Sequence, residues 1–112
     1  LVKPHNFTNK KNTMHRSIEW AAGLFEGEGY ITNCGKYPKV GLTMTDKDVV
    51  QEFVKVIGVG AYRVRDRSPN KTQYEWQVTG SKCKGILETL LPYLGNRRAY
   101  KALNILDSLE LV

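Results

Sequence analysis

An α+β domain with one antiparallel sheet and its helices on a single face is the fold this sequence predicts, and three observations predict it. Apolar residues recur at helical spacing in several segments, two hairpin-like segments of period two lie between them, and glycine, proline or a polar cap separates one kind from the other. The chain has 112 residues, 41% of them hydrophobic, which suits one domain with one modest core. Residues 1–16 are basic and polar with no apolar period and read as an N-terminal tail, leaving 17–112 as the domain. The start at Leu1, with Met14 just ahead of the first helix, raises the expectation that the sequence is processed from, or read in frame with, something upstream.

The first helix opens at Ser17, a good N-cap, carries Ile18, Ala21, Ala22, Leu24 and Phe25 as its apolar positions, and stops at Gly29. Two strands follow, Tyr30 to Cys34 and Lys39 to Thr45, joined across Gly35 to Pro38. Thr45 and Asp48 form a capping-box pattern for a second helix whose apolar side is Val49, Val50, Phe53, Val54 and Ile57, ended by Gly58 and Gly60. The second hairpin runs Ala61 to Arg67, turns at "SPNK", and returns from Thr72 to Val78, with Tyr74, Trp76 and Val78 on its buried side. Ser81 caps a third helix bearing Ile86, Leu87, Leu90 and Leu91, stopped at Pro92. The last helix spans about Asn96 to Leu109, with Ala99, Leu103, Leu106 and Leu109 near helical period. The order is helix, two strands, helix, two strands, helix, helix.

Strand parity gives the sheet face opposite the helices a composition: Thr32, Cys34, Lys36, Lys39, Thr43, Arg63, Arg65, Arg67, Gln73, Glu75 and Gln77. A solvated sheet face is polar by necessity, so that list has an ordinary reading. It also has a sharper one, because arginine and glutamine pair bidentately with guanine and adenine edges and a two-stranded ribbon fits the major groove of B-DNA. The formal net charge of +6 favours a polyanionic partner, although ribosome-associated and merely well-solvated proteins are basic too. Cys34 and Cys83 stand far apart in no metal-ligand grouping, which argues against a zinc site or a disulfide scaffold and for a reducing compartment. No apolar run approaches the roughly 18 residues of a membrane span, and the expectation is a soluble, intracellular protein.

The stretch "AAGLFEGEG" poses the problem that directs the rest. Glu26 and Glu28 fall in the last turn of a helix, where the macrodipole disfavours carboxylates. On a straight helix they diverge by about 200°, so they do not share one face and need separate explanations. Glu26 fits a local cap or salt bridge, or a reach to a neighbouring element. Glu28, at the helix exit where backbone carbonyls gather, fits either a solvated surface or an oxygen-ligand site for a hard cation such as Mg²⁺. Gly23 and Gly27 lie four apart with Ala22 beside them, and small residues so placed let another helix come close, either one of this chain or the same helix of a second copy.

"AAGLFEGEGYI" resembles the LAGLIDADG motif of the homing endonucleases, with Ala22, Gly23 and Leu24 in agreement, Gly27 and Gly29 fitting, Ala21 in place of leucine, Phe25 in place of isoleucine, and Glu26 and Glu28 in place of two aspartates. The element order matches over about residues 17 to 110. The resemblance implies a saddle-shaped sheet cradling double-stranded DNA, motif helices at a subunit interface, and Mg²⁺-dependent phosphodiester hydrolysis with Glu28 as a metal ligand. Gly27 joins Glu28 in the metal set, and Ala22, Gly23, Glu26 and Gly27 form the dimer interface. One motif per chain implies a homodimer that makes a double-strand break at a long pseudo-palindromic site. Asp46 stands where the family often places a residue organising the water pool, or caps the second helix. Arg97 stands where a basic residue often approaches the scissile phosphate, or is a helix-surface arginine; Arg98 is a substitute or a phosphate contact. A strand of about seven residues at roughly 3.3 Å each spans about 23 Å, so each half-site covers on the order of seven base pairs at about 3.4 Å each. The rival implication is a catalytically silent RNA maturase or DNA-binding regulator derived from the same family, and a third is a fragmentary copy of a two-motif protein. The expected location is with the target genome, in cytoplasm, nucleoid or organelle; an intron-encoded gene fits the pattern.

Overall fold

The computed structural model describes residues 16–34 and 37–110, and builds the expected α+β architecture. Helix α1 (Ile18–Glu28) leads into β1 (Gly29–Cys34) and β2 (Tyr37–Met44); α2 (Lys47–Ile57) leads into β3 (Ala61–Arg65) and β4 (Gln73–Thr79). A 3₁₀ turn (Gly80–Lys82) precedes α3 (Cys83–Leu90), a second one (Leu91–Tyr93) follows it, and α4 (Asn96–Glu110) completes the order. The four strands are antiparallel in the order β1-β2-β4-β3, so β2 and β4 are central and β1 and β3 are edges. Among the described residues no helix is long and apolar enough to cross a membrane.

Period-two alternation does what the sequence predicts. Ile31, Val40 and Val78 stand in one cross-strand row, Leu42, Trp76 and Tyr62 in the next, and these rows meet the helices. Trp76 is the centre of the core: it is wholly buried, its indole N–H donates to Val59 O at 2.8 Å, and its ring meets Phe53 and Phe25 edge-on at 4.8 Å and 6.4 Å. Such aromatic pairs add about 0.5–1.5 kcal/mol each beyond their burial. Ala21, Ala22 and Phe25 of α1, Val50 and Phe53 of α2, Cys83, Ile86, Leu87 and Leu90 of α3, and Ala102, Ile105 and Leu106 of α4 close over this surface.

Several boundaries differ from the sequence reading. Ser17 caps α1 as expected, its hydroxyl accepting from Trp20 N at 3.1 Å. Gly29 does end that helix, but in extended backbone (φ −83°, ψ 167°); glycine fits there because a Cβ would come within 2.3 Å of the Phe25 ring. Pro38 belongs to β2 and not to the turn, and Thr45 is a bend residue while Asp46 holds the N-cap position of α2. Ser81 sits in the 3₁₀ turn ahead of α3 instead of capping it. On α4 the buried position is Ala102, with Leu103 46% exposed: both lie at helical distance from Ala99, and packing against the rest of the chain selects the smaller one. Gly58 (φ 80°) closes α2 in the left-handed region, and Gly60 (φ 114°) threads the chain past the Trp76 indole.

Candidate active site and nucleic-acid interface

The two glutamates of the motif have different fates. Glu26 leaves α1 toward the start of α4, where one carboxylate oxygen accepts from Gly95 N at 2.9 Å and the other faces Arg98 Nη1 at 3.6 Å. Gly95 stands just ahead of α4, its carbonyl accepting from Ala99 N at 2.9 Å. A carboxylate of the wrong sign for its own helix end is thus of the right sign for another helix's beginning. Arg98 completes the clamp by donating from Nη2 to Gly29 O at 2.5 Å, with its side chain only 17% exposed. Expected among the phosphate contacts, Arg98 is instead committed to holding α4 against the motif's exit.

Glu28 is exposed and makes no hydrogen bond or ion pair among the described residues. It immediately precedes β1, whose Gly29 pairs with Leu42 of β2. Asp46 lies two residues beyond the end of β2, exposed, and though at the N-cap position its side chain makes no capping hydrogen bond. Arg97 is exposed in the first turn of α4, next to the clamped Arg98. The same end of the sheet carries the start of β1 and the end of β2, and α4 is pinned there by the Glu26–Arg98 clamp. Glu28 and Asp46 therefore flank one end of the β1–β2 hairpin, one just before its first residue and the other just past its last, and Arg97 adjoins the arginine that pins α4 there.

The polar face is built row by row. Thr32, Lys39 and Thr79 lie across one row; Tyr30, Gly41, Gln77 and Ala61 across the next; then Thr43, Glu75 and Arg63; then Gln73 and Arg65. Cys34 pairs in register with Tyr37 at the far end, whose side chain is 66% exposed. Lys36 lies outside the described residues. Arg67, expected to continue the arginine alternation, lies beyond β3, which ends at Arg65; there the chain turns through a loop in which Asp66 accepts from both Ser68 N (3.0 Å) and Ser68 Oγ (2.7 Å). Those two bonds favour the ionised carboxylate and hold the Asp66 pKa below its usual value.

Tyr30 is the face residue that the sequence reading leaves out, although alternation with Thr32 carries the signal. Its ring lies over Gly41, where a Cβ would come within 2.5 Å of the phenol oxygen, and its hydroxyl accepts from Gln77 Nε2 at 3.3 Å. Glu75, the one charged residue buried among those described, is held by Arg65 Nε at 3.0 Å. Of the expected interface residues on α1, Ala22 is wholly buried in this chain's own core and is unavailable to a partner. Glu26 is engaged in the clamp, while Gly23 and Gly27 are exposed, with open space where a Cβ would stand. Trp20 lies one turn before Gly23 and two before Gly27, its ring under the Arg16 guanidinium at 5.0 Å.

Sequence comparison finds no matching family model and no matching curated protein. Comparison of folds finds clear neighbours. The homing endonuclease I-CvuI, solved with the I-CreI target in the presence of 2 mM Mg with the DNA not cleaved, superposes with a TM-score of 0.67 at 21% identity, over 94% of this chain and 69% of that one. I-CvuI with its own target in 2 mM Ca gives 0.66 at 21% over the same shares. The homing endonuclease I-TnaI gives 0.65 at 20% identity, over 87% of this chain and 76% of that one. The chain therefore has the fold of the homing endonucleases.

Proposed function

We propose that this protein is a site-specific DNA endonuclease of the single-motif LAGLIDADG type, which binds a long pseudo-palindromic duplex as a homodimer and makes a double-strand break. The observation that carries this reading is the division of labour between the motif's glutamates: Glu26 is tied into the fold, and Glu28 is left exposed at the α1–β1 junction, at the end of an arginine- and glutamine-bearing sheet. Nothing in the fold requires a carboxylate at Glu28, which points to chemistry.

The donor set of one chain fits half of a site for a hard divalent cation. Glu28 offers an exposed carboxylate, and Gly27 a carbonyl among the last of α1, where the helix ladder runs out. Among the described residues no three acidic, histidine or cysteine side chains gather to hold a metal. A second copy packed along Gly23 and Gly27 would bring a second Glu28, and so complete the oxygen set by symmetry. Magnesium, when bound, would supply the charge that makes a water nucleophilic near neutral pH and stabilises the departing oxygen. Asp46 accepts hydrogen bonds from water and orients it towards phosphorus. Arg97 donates to a non-bridging phosphate oxygen as negative charge builds there. The rows from Lys39 to Arg65 hold the duplex in register, with lysine and arginine on phosphates and arginine and glutamine toward base edges.

The test is incubation with a randomised duplex library in Mg²⁺, sequencing both bound and cut molecules, for wild type and Glu28→Gln. Wild type is expected to cut a narrow set of long sites, and Glu28→Gln to bind the same set uncut. Wild type that enriches a sequence yet never cuts any would replace this reading with that of a silent DNA-binding protein, and enrichment of structured RNA alone with that of a maturase.

A further inference from the structure

Glu75 is an unusual residue to find in the middle of a face read as meeting a polyanion. Its side chain is 9% exposed, on a central strand, with Thr43 beside it on β2 and Arg63 directly opposite on β3. The nearer cross-strand arginine is Arg63, yet the carboxylate takes its hydrogen bond from the diagonal one, Arg65 Nε at 3.0 Å. Arg63 is left exposed without a polar partner among the described residues.

The two arginines thereby become chemically different. Arg63 carries its positive charge with no carboxylate to offset it among the described residues, the form that suits phosphate. Arg65 shares a close ion pair of little net charge, which weakens its general pull on phosphate, while the bond at Nε fixes the plane of its guanidinium. Its two terminal nitrogens have no partner among the described residues, and the side chain is 44% exposed. Two parallel N–H donors in a fixed plane match the O6 and N7 acceptors of guanine, and a donor held in place beforehand loses less freedom on binding.

The geometry points to Arg65 as the specificity-determining residue that reads one guanine through the major groove, with Glu75 as the positioning residue that aims it; this rests on the DNA-binding reading above. Glu75 then contacts no base itself, and Arg63 contributes affinity without sequence preference.

The experiment is selection from a randomised duplex library by electrophoretic retention, in Ca²⁺, for wild type, Arg65→Lys, Glu75→Gln and Arg63→Gln, with salt titrations on the wild-type consensus. Arg65→Lys keeps the charge at an exposed position and so keeps the fold. Expected is a guanine preference of about tenfold or more at one position of the wild-type half-site, lost in Arg65→Lys with the other positions unchanged. Glu75→Gln relaxes that same position while overall affinity is held or rises, because a negative charge facing DNA is gone; a merely structural Glu75 would lower affinity and every preference together. Arg63→Gln weakens binding uniformly and lowers the salt slope by about one. The inference is overturned if Arg65→Lys leaves every base preference intact, or if Glu75→Gln relaxes a different position or all of them. Enrichment of no sequence by wild type would remove the DNA-binding reading itself, and this inference with it.

Discussion

Removing the Glu26 side chain isolates the clamp between the motif and α4. Glu26→Ala deletes the acceptor for Gly95 N, the carboxylate at the start of α4 and the partner of Arg98 Nη1. A lost N-terminal cap costs about 1 kcal/mol, the charge–dipole term adds about 0.5 kcal/mol, and an ion pair whose acid is 40% exposed adds about 0.5 kcal/mol after solvent screening. The sum is about 2 kcal/mol, or a fall of about 8–15 °C in Tm for a domain of this size. Glu26→Gln retains an acceptor for Gly95 and loses only the charge, so it falls about half as far. Urea unfolding followed by circular dichroism measures both. A double-mutant cycle with Arg98→Ala is expected to show a coupling of about 0.5–1 kcal/mol. If Glu26→Ala lies within 0.5 kcal/mol of wild type, or the cycle closes to zero, the clamp does not hold α4 and the account of Glu26 is wrong.

Gly60→Ala is expected to destabilise by about 3 kcal/mol, because φ is 114° and the new Cβ would press on Trp76 Nε1 with Gln77 O behind it; a red-shifted tryptophan emission with a lowered urea midpoint would report the displaced indole. Cys83 is buried, donating weakly to Val78 O at 3.4 Å, and burial pushes its thiol pKa up from 9.0 to about 11. In a Cys34→Ser background it should therefore react slowly with a thiol reagent at pH 8 until urea unfolds the chain. The folded state disfavours the thiolate, so this stabilising contribution is whole below about pH 9 and is lost as pH rises towards 11. Cys83→Ala is expected to flatten that alkaline decline in a pH series of melting temperatures, and an unchanged slope would show that other groups cause it.

What the sequence makes legible is whatever depends on neighbours along the chain. Alternation in "AYRVR" and "QYEWQV" sets which side chains share a face, and the observed register keeps that parity. Ser17 and Gly58 act locally and were readable. Where two local choices are nearly degenerate, as with Ala102 against Leu103 or Thr45 against Asp46, packing decides, and the choice is not encoded in spacing. A salt bridge or a reach to a neighbouring element is what the sequence allows Glu26, but the element it meets, and the role of Arg98, are not legible there, because their partners Gly95 and Gly29 lie 69 residues away. Likewise, the sequence shows arginines at 63 and 65, but only the diagonal taken by Glu75 distinguishes them.

β3 is short, its outer edge is open among the described residues, and Arg63 and Arg65 stand along it. Unpaired strand edges recruit other strands, and brief, charged edge strands resist this. The same two arginines thus guard the sheet against joining its neighbours end to end in solution. Redesigning them to apolar or neutral residues to retarget recognition would expose a five-residue edge carrying Val64, already 57% exposed. Aggregation, before any loss of affinity, would be the first failure of such a variant, and retargeting at these positions should keep one charge on the edge.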